Sequence, residues 1–497
     1  MTTAPGKKNS SAALALALVA GASVACGPDR SERTDLGSRP QGVVVLLIDT
    51  ARTDHLSAYG YERDTTPTLE WLARQGVLFE QVQAPSPWTI PTMASLWTGV
   101  YPSRHGAGIM AARGERRTFP EEGEKIFRGF SMTASTLPRR LRELGYQTYA
   151  FFANPLLKSD CYLHDFDDVA IAYKPADALV DWAIDRMPEF VGHPFFLYLH
   201  FFDLHEPIDP PDDYLTRYLP AEDRDGLDGE PFVKLKEELS RFGGFDDLEA
   251  LAGEAFAHFR TLKAAAYDGA VRFVDDQIER LIEEFEDAGL RERTLFVVTA
   301  DHGEELWDHW ELERDAYDVE AAGKVGVGHG HTLFQELLSV PLVVCGPGVE
   351  RGGRVASRVS LCDLGATLLE LVAPGDSEAD RLGDGVSFAA ALRGELLENR
   401  ITLSEGLAYG YELHALVDAE GFKYIWAPHR GRDLMFSLPT DAREEHDLIG
   451  EQPERAATLR ARLMELVSSL EAAPLPEGDP HAVDRKAIRG LGYTHDK

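Results

Sequence analysis

Positive charge is scarce in this 497-residue chain: 50 Lys and Arg stand against 83 Asp and Glu, a formal net charge of −33. A polyanion would meet net repulsion on approach, which disfavours nucleic acid as a partner. Cysteine is scarcer still. The four copies, Cys26, Cys161, Cys345 and Cys362, show no CxxC or Cys/His ligand spacing, so neither a zinc module nor a disulfide framework is encoded. With 44% hydrophobic and 27% charged residues, the composition excludes wholesale disorder and a polytopic membrane protein. No internal repeat is visible.

The N-terminus carries its own signal. Lys7 and Lys8 precede an apolar, small-residue run from Ala12 to Ala25, too short to span a bilayer but suited to a signal-peptide core. Residues 1–25 are therefore expected to be a signal peptide, with residues 26–40, rich in Asp, Arg, Ser, Gly and Pro, as a tether. Ser23-Val24-Ala25-Cys26 resembles a bacterial lipobox, with Ser at the usual Leu position. Two outcomes stay open: a lipid anchor on Cys26, or simple cleavage after Ala25. Either implies export, to the periplasm or as a membrane-anchored lipoprotein.

Beyond the tether, apolar runs alternate with amphipathic segments, the pattern of a mainly parallel sheet flanked by helices. Gly42–Ile48, Gln147–Phe152, Pro194–Phe202, Thr294–Thr299 and Val340–Cys345 are expected as buried strands. Thr66–Gln75, Leu137–Leu144 and the segment containing Val271, Val274, Ile278 and Phe285 are expected as helices. The acidic stretch 220–260 suggests an exposed insertion. Near residue 400 the pattern changes: Ile401–Leu403, Ala415–Val417 and Phe422–Trp426 look like short strands before a helix over 453–470. The fold class is α/β, a large mixed sheet sandwiched by helices over 41–395, with a small α+β subdomain over 396–497.

Chemistry-bearing residues gather at expected strand and helix ends. Asp49 directly follows the first strand, and ligands of open α/β sheets collect at carboxyl ends of strands. Thr89 lies just before a helix start marked by Pro91, where a hydroxyl either caps the helix or helps to receive an anion. Asp301-His302-Gly303-Glu304 ends another apolar strand and offers a carboxylate and an imidazole to a metal. Gly328-His329-Gly330-His331, and the run from His200 through Asp203 to His205, add four imidazoles.

The order and wording of these motifs resemble the sulfatase family within the alkaline phosphatase superfamily. Asp49-Thr50-Ala51-Arg52-Thr53-Asp54-His55-Leu56 looks like the family's opening segment. Tyr101-Pro102-Ser103-Arg104-His105-Gly106, Asp301-His302-Gly303-Glu304, Leu333-Phe334-Gln335-Glu336 and Gly490-Leu491-Gly492-Tyr493 look like later blocks. The resemblance implies that Asp49, Asp301 and His302 bind a divalent metal together with a nucleophile at Thr89. It also implies that His205 contacts the anion and that His331 or His329 serves the leaving group, with His331 ranked first because it directly precedes Thr332-Leu333-Phe334.

Three departures redirect the expected substrate. The family's sulfatases carry Cys or Ser at the nucleophile position, followed by x-Pro-Ser-Arg, and convert it to formylglycine. Here the run is Thr89-Ile90-Pro91-Thr92-Met93, and Thr50 replaces a second consecutive Asp. A threonine is similar to the nucleophile of phosphodiesterase-type relatives, which favours phosphodiester or phosphonate esters over sulfate esters. The expectation is an exported, metal-dependent hydrolase of a small-molecule, glycan-linked or lipid-linked anionic ester. The alternative is a catalytically impaired sulfatase-fold surface binding protein. The cofactor is expected to be one divalent ion, calcium or magnesium, with a two-metal zinc or manganese site (Asp203, His205 and His329 or His331) as the alternative.

Overall fold

The computed structural model describes residues 39–109, 125–224, 229–239, 253–317, 325–375, 382–429, 431–471 and 476–483. The signal peptide, Cys26 and the Gly490–Tyr493 block lie outside these residues. Eight strands form the central sheet: β1 (Gly42–Ile48), β2 (Gly76–Phe79), β3 (Gln147–Phe152), β4 (Asp168–Ile171), β5 (Phe195–Phe201), β6 (Thr294–Thr299), β7 (Leu342–Cys345) and β8 (Gly353–Val355). Their spatial order is β8-β2-β7-β6-β1-β5-β3-β4. Only β7 runs against its neighbours; the other pairs are parallel.

Helices cover both faces, so the central strands are buried throughout, every residue of β1 included. Side-chain alternation along β5 makes this concrete. Phe195 stacks on Phe190 of α3 (Ala176–Phe190) and reaches Phe285 of the long helix α4 (Glu254–Asp287). The residues of the alternate phase, Phe196 and Tyr198, pack edge-on against Trp97 of α2 (Thr89–Thr98) on the opposite face.

Two expectations need correction. The acidic stretch does not run as an exposed insertion to residue 260: α4 begins at Glu254, and Phe256 and Phe259 are buried against Trp307. Leu239, upstream, is buried too. An acidic composition hid an amphipathic helix start. The second concerns the C-terminal sheet, which has four antiparallel strands, Thr402–Glu405, His414–Val417, Phe422–Trp426 and Leu434–Ser437. The last was not expected. Its Met435 joins Leu403, Leu416 and Tyr424 in a core closed by Leu459, Leu463 and Val467 of α5 (Pro453–Glu471), while Leu434 and Phe436 face the main core. The strand Glu477–Val483 then returns to pair with Lys125–Phe130. Cys161, Cys345 and Cys362 are buried free thiols.

Candidate functional site

Four parallel strands deliver polar residues to one edge of the sheet. β1 is followed directly by Asp49, β3 is followed by Asn154, β5 carries His200 near its end, and β6 leads into Asp301 and His302. All five side chains are buried, 0% exposed, so each polar atom needs a partner inside the protein or a bound ion. Asp49 Oδ2 receives hydrogen bonds from His200 Nε2 at 2.9 Å and Asn154 Nδ2 at 2.9 Å. Asp301 Oδ1 receives the His302 backbone N–H at 2.9 Å. The remaining oxygens, Asp49 Oδ1 and Asp301 Oδ2, accept no hydrogen bond among the described residues.

His302 completes the constellation. Its Nδ1 faces the Gly303 carbonyl at 2.8 Å and must donate there, which leaves a lone pair on Nε2. That nitrogen lies 3.3 Å from Asp301 Oδ2 and 3.7 Å from Asp49 Oδ1. Gly303 is required at this turn because a Cβ would collide with the Glu336 carbonyl. Two orphaned carboxylate oxygens and an imidazole lone pair fit a divalent cation; Asp49, His200 and Asp301 also bring donor atoms within 4.8 Å of one another. Burial raises the Asp49 carboxyl, but the His200 hydrogen bond and the nearby histidines outweigh it and bring the group down to about 2. Burial and the neighbouring Asp49 push Asp301 up to about 6.

Thr89 is the first residue of α2 rather than the residue before it, and Trp88 takes the cap position. The Thr89 hydroxyl therefore does not cap its own helix. It lies 3.2 Å from His302 Nε2 and accepts from Asn154 Nδ2 at 3.3 Å. Pro91 falls in the first turn, where no intrahelical N–H is lost. Thr92 instead donates to the Ser86 carbonyl at 2.9 Å. Thr50, in the place of the second Asp, adopts a left-handed conformation (φ 60°), and its hydroxyl donates back to the Asp49 carbonyl at 2.7 Å.

The histidines divide unexpectedly. His205 stacks on Phe202 and meets His329 with ring centroids 4.8 Å apart, and His329 meets His302 at 4.4 Å. Glu304 orients His329 by accepting from Nδ1 at 3.1 Å. His331 points elsewhere: its Nε2 contacts Glu305 at 2.9 Å and Glu313 at 3.4 Å. Although burial lowers it, these two carboxylates push the His331 imidazole up to about 10. Of the two, His329 is the one whose ring meets His302. Asp203 Oδ1 accepts from the Ala176 backbone at the start of α3, at 3.0 Å, and its Oδ2 accepts no hydrogen bond among the described residues. The C-terminal subdomain walls the site, since Ala408 N and Tyr409 N donate to the Gly330 carbonyl at 2.8 and 3.0 Å.

Sequence reasoning missed Asn154 and gave His200 no role. The signal for Asn154 was its place two residues after the apolar run Gln147–Phe152, ahead of Pro155.

The Sulfatase family model matches residues 41–374, and the chain belongs to that family. It is 23% identical to an arylsulfatase of Clostridium perfringens, over 86% of this chain and 95% of that protein. Among solved structures it resembles a chain in complex with its substrate D-glucosamine-2-N,6-O-disulfate (TM-score 0.64, 18% identity, 88% of this chain and 98% of that one). It also resembles the phosphonate monoester hydrolase of Agrobacterium radiobacter (TM-score 0.62, 19% identity, 90% and 100%). At these identities the structural likenesses establish the alkaline phosphatase/sulfatase-like fold.

Proposed function

We propose that this sulfatase-family hydrolase uses Thr89 as its nucleophile, acts on phosphodiesters or phosphonate monoesters in preference to sulfate esters, and works outside the cytoplasm. The observation that carries the reading is the Thr89 hydroxyl: buried, not spent on capping its helix, and held between His302 Nε2 and Asn154 Nδ2. Threonine cannot yield the formylglycine aldehyde, so its hydroxyl oxygen is the attacking atom. The start of α2 places backbone N–H groups and the positive end of the helix dipole beside the reacting anion.

Asp49 Oδ1, Asp301 Oδ2 and His302 Nε2 would hold a divalent ion, which supplies Lewis-acid stabilisation of developing negative charge. Asn154 donates to both the metal-facing carboxylate and the nucleophile oxygen, fixing their separation. His205 faces the anion, and His329, oriented by Glu304, holds or gives the proton at the departing oxygen. A carbohydrate-linked ester as substrate is supported by one structural neighbour, which is in complex with its substrate D-glucosamine-2-N,6-O-disulfate.

A panel of chromogenic esters, assayed with and without chelator, tests the reading. Faster, metal-dependent hydrolysis of an aryl phosphodiester or phosphonate than of an aryl sulfate is expected. Preference for the sulfate overturns the nucleophile argument, and silence on all esters favours a binding role. Export rests on Lys7, Lys8 and the Ala12–Ala25 run. Mass spectrometry of the mature N-terminus should show it at Cys26, acylated if the protein is a lipoprotein, and Cys26→Ala should then release it from the membrane fraction; an intact Met1 terminus would refute export.

A further inference from the structure

A second group of metal-ligating side chains lies outside the constellation around Asp49. Glu305 sits on a two-residue strand paired antiparallel with Val327–Gly328. Glu313 projects from the helix Trp310–Ala316, and His331 follows the second strand of that ribbon. Three adjoining segments thus bring one carboxylate, a second carboxylate and an imidazole together. The donor atoms all lie within 4.8 Å of one another. The side chains of Glu305, Glu313 and His331 are at most 1% exposed.

The way each carboxylate is held gives the cluster a direction. Glu313 Oε2 accepts from the Gly326 backbone at 3.0 Å, and Glu305 Oε1 accepts from the His309 backbone at 3.2 Å. Each group has one oxygen committed to the main chain and the other turned towards His331 Nε2, at 2.9 Å for Glu305 Oε2 and 3.4 Å for Glu313 Oε1. Glu313 Oε1 accepts no hydrogen bond among the described residues.

Charge counting points the same way. Two carboxylates face one imidazole, so ionisation of both acids calls for two positive charges at this buried point. The neighbouring cation His309 is engaged elsewhere, with Glu336 at 2.7 Å. An unpaired buried charge is costly. A divalent cation bound to two carboxylates and a neutral imidazole brings the cluster to zero.

We propose that Glu305, Glu313 and His331 form a second cation site, of the zinc or manganese class, that clamps the His329–His331 loop to the Glu305 ribbon and the Trp310–Ala316 helix. The mixed imidazole and carboxylate donor set selects a borderline transition metal over calcium. Its role is structural: it fixes the loop on which His329 meets His302. The site uses neither Asp49 nor Asp301, and it does not depend on the hydrolytic reading.

The test is elemental analysis of the full-length protein after equilibration with zinc or manganese and desalting. Glu313→Gln should lower bound metal by one equivalent in the wild type and, separately, in an Asp301→Asn background. No loss in either background overturns the proposal. Circular dichroism establishes that each variant folds. Should Glu313→Gln not fold, cobalt titration of the Asp301→Asn protein decides: one equivalent developing visible d–d bands of an imidazole-containing site supports the cluster, and a spectrum of aqueous cobalt alone overturns it. Hydrolysis of the ester panel is a separate readout, so failure of the second site and failure of the Thr89 reading are distinguishable.

Discussion

The hydroxyl of Thr89 lies 3.2 Å from Nε2 of His302, a residue 213 positions further along the chain. One residue begins a helix and the other follows a sheet strand, and both side chains are fully buried. Because His302 donates through Nδ1 to Gly303, its Nε2 accepts a hydrogen bond from the Thr89 hydroxyl.

Removal of this hydroxyl should be the most damaging change in the site. Thr89→Ala is expected to lower kcat by roughly 10³-fold or more, and Thr89→Ser to keep part of it. Thr92→Ala, which loses only the bond to Ser86, should cost far less. Steady-state kinetics on the preferred ester decide, and the reverse order would refute Thr89.

Asn154 has its amide orientation set by its own backbone neighbour, since Oδ1 accepts from Leu156 N at 3.0 Å. Asn154→Ala should reduce kcat by about 10²-fold, as loss of one preorganised donor does elsewhere. Asn154→Asp should be worse because it sets a carboxylate beside Asp49. Near-wild-type turnover in both variants would show that the amide is dispensable.

Of the two histidines in Gly328-His329-Gly330-His331, His329→Ala is expected to lower kcat by about 10²-fold or more. It should also flatten one limb of the pH–rate profile. His331→Gln should act chiefly on thermal stability. If His331→Gln instead removed the limb, His331 would be the group beside the leaving oxygen.

Asp301→Ala should remove one equivalent of bound cation together with activity, while far-UV circular dichroism stays unchanged because the side chain sits at a strand end. Elemental analysis of both proteins checks it. Undiminished metal would place the ion elsewhere.

Burial pushes the Asp203 carboxyl up to about 7. The folded protein therefore keeps this proton to higher pH than the unfolded chain, whose carboxylate titrates near pH 4. Between the two values the folded state holds more protons, so the contribution is full below pH 4 and is lost as pH rises through about 7. Asp203→Asn removes this titration and keeps an acceptor for Ala176. Denaturant unfolding should show the wild type losing roughly 2–4 kcal/mol relative to the variant between pH 4 and pH 8. Parallel pH profiles would sink the assignment.

Much of this arrangement was legible in the residues alone, for a physical reason. A fully buried parallel strand must be apolar from end to end, so Gly42–Ile48 and Thr294–Thr299 stand out, and the polar residues directly after them, Asp49 and Asp301, announce a sheet edge where ligands collect. His302, next to Asp301, comes with it. The fourth strand of the C-terminal sheet, Leu434–Ser437, was invisible because four residues carry too little periodicity to distinguish from a loop.

What only the tertiary structure decided are the partners of side chains whose local sequence permits two roles. Thr89 could have capped its helix; packing starts that helix one residue earlier and turns the hydroxyl towards His302. His329 and His331 are two residues apart, and the left-handed Gly330 between them (φ 82°) sends them to different acids, Glu304 and Glu305. Asn154 reads as an ordinary turn residue until β3 is placed two strands from β1. Sequence determines which residues can bear chemistry and which strand ends present them. Hydrogen-bond partners more than a hundred residues away are set by the order and register of the sheet, which local pattern does not encode.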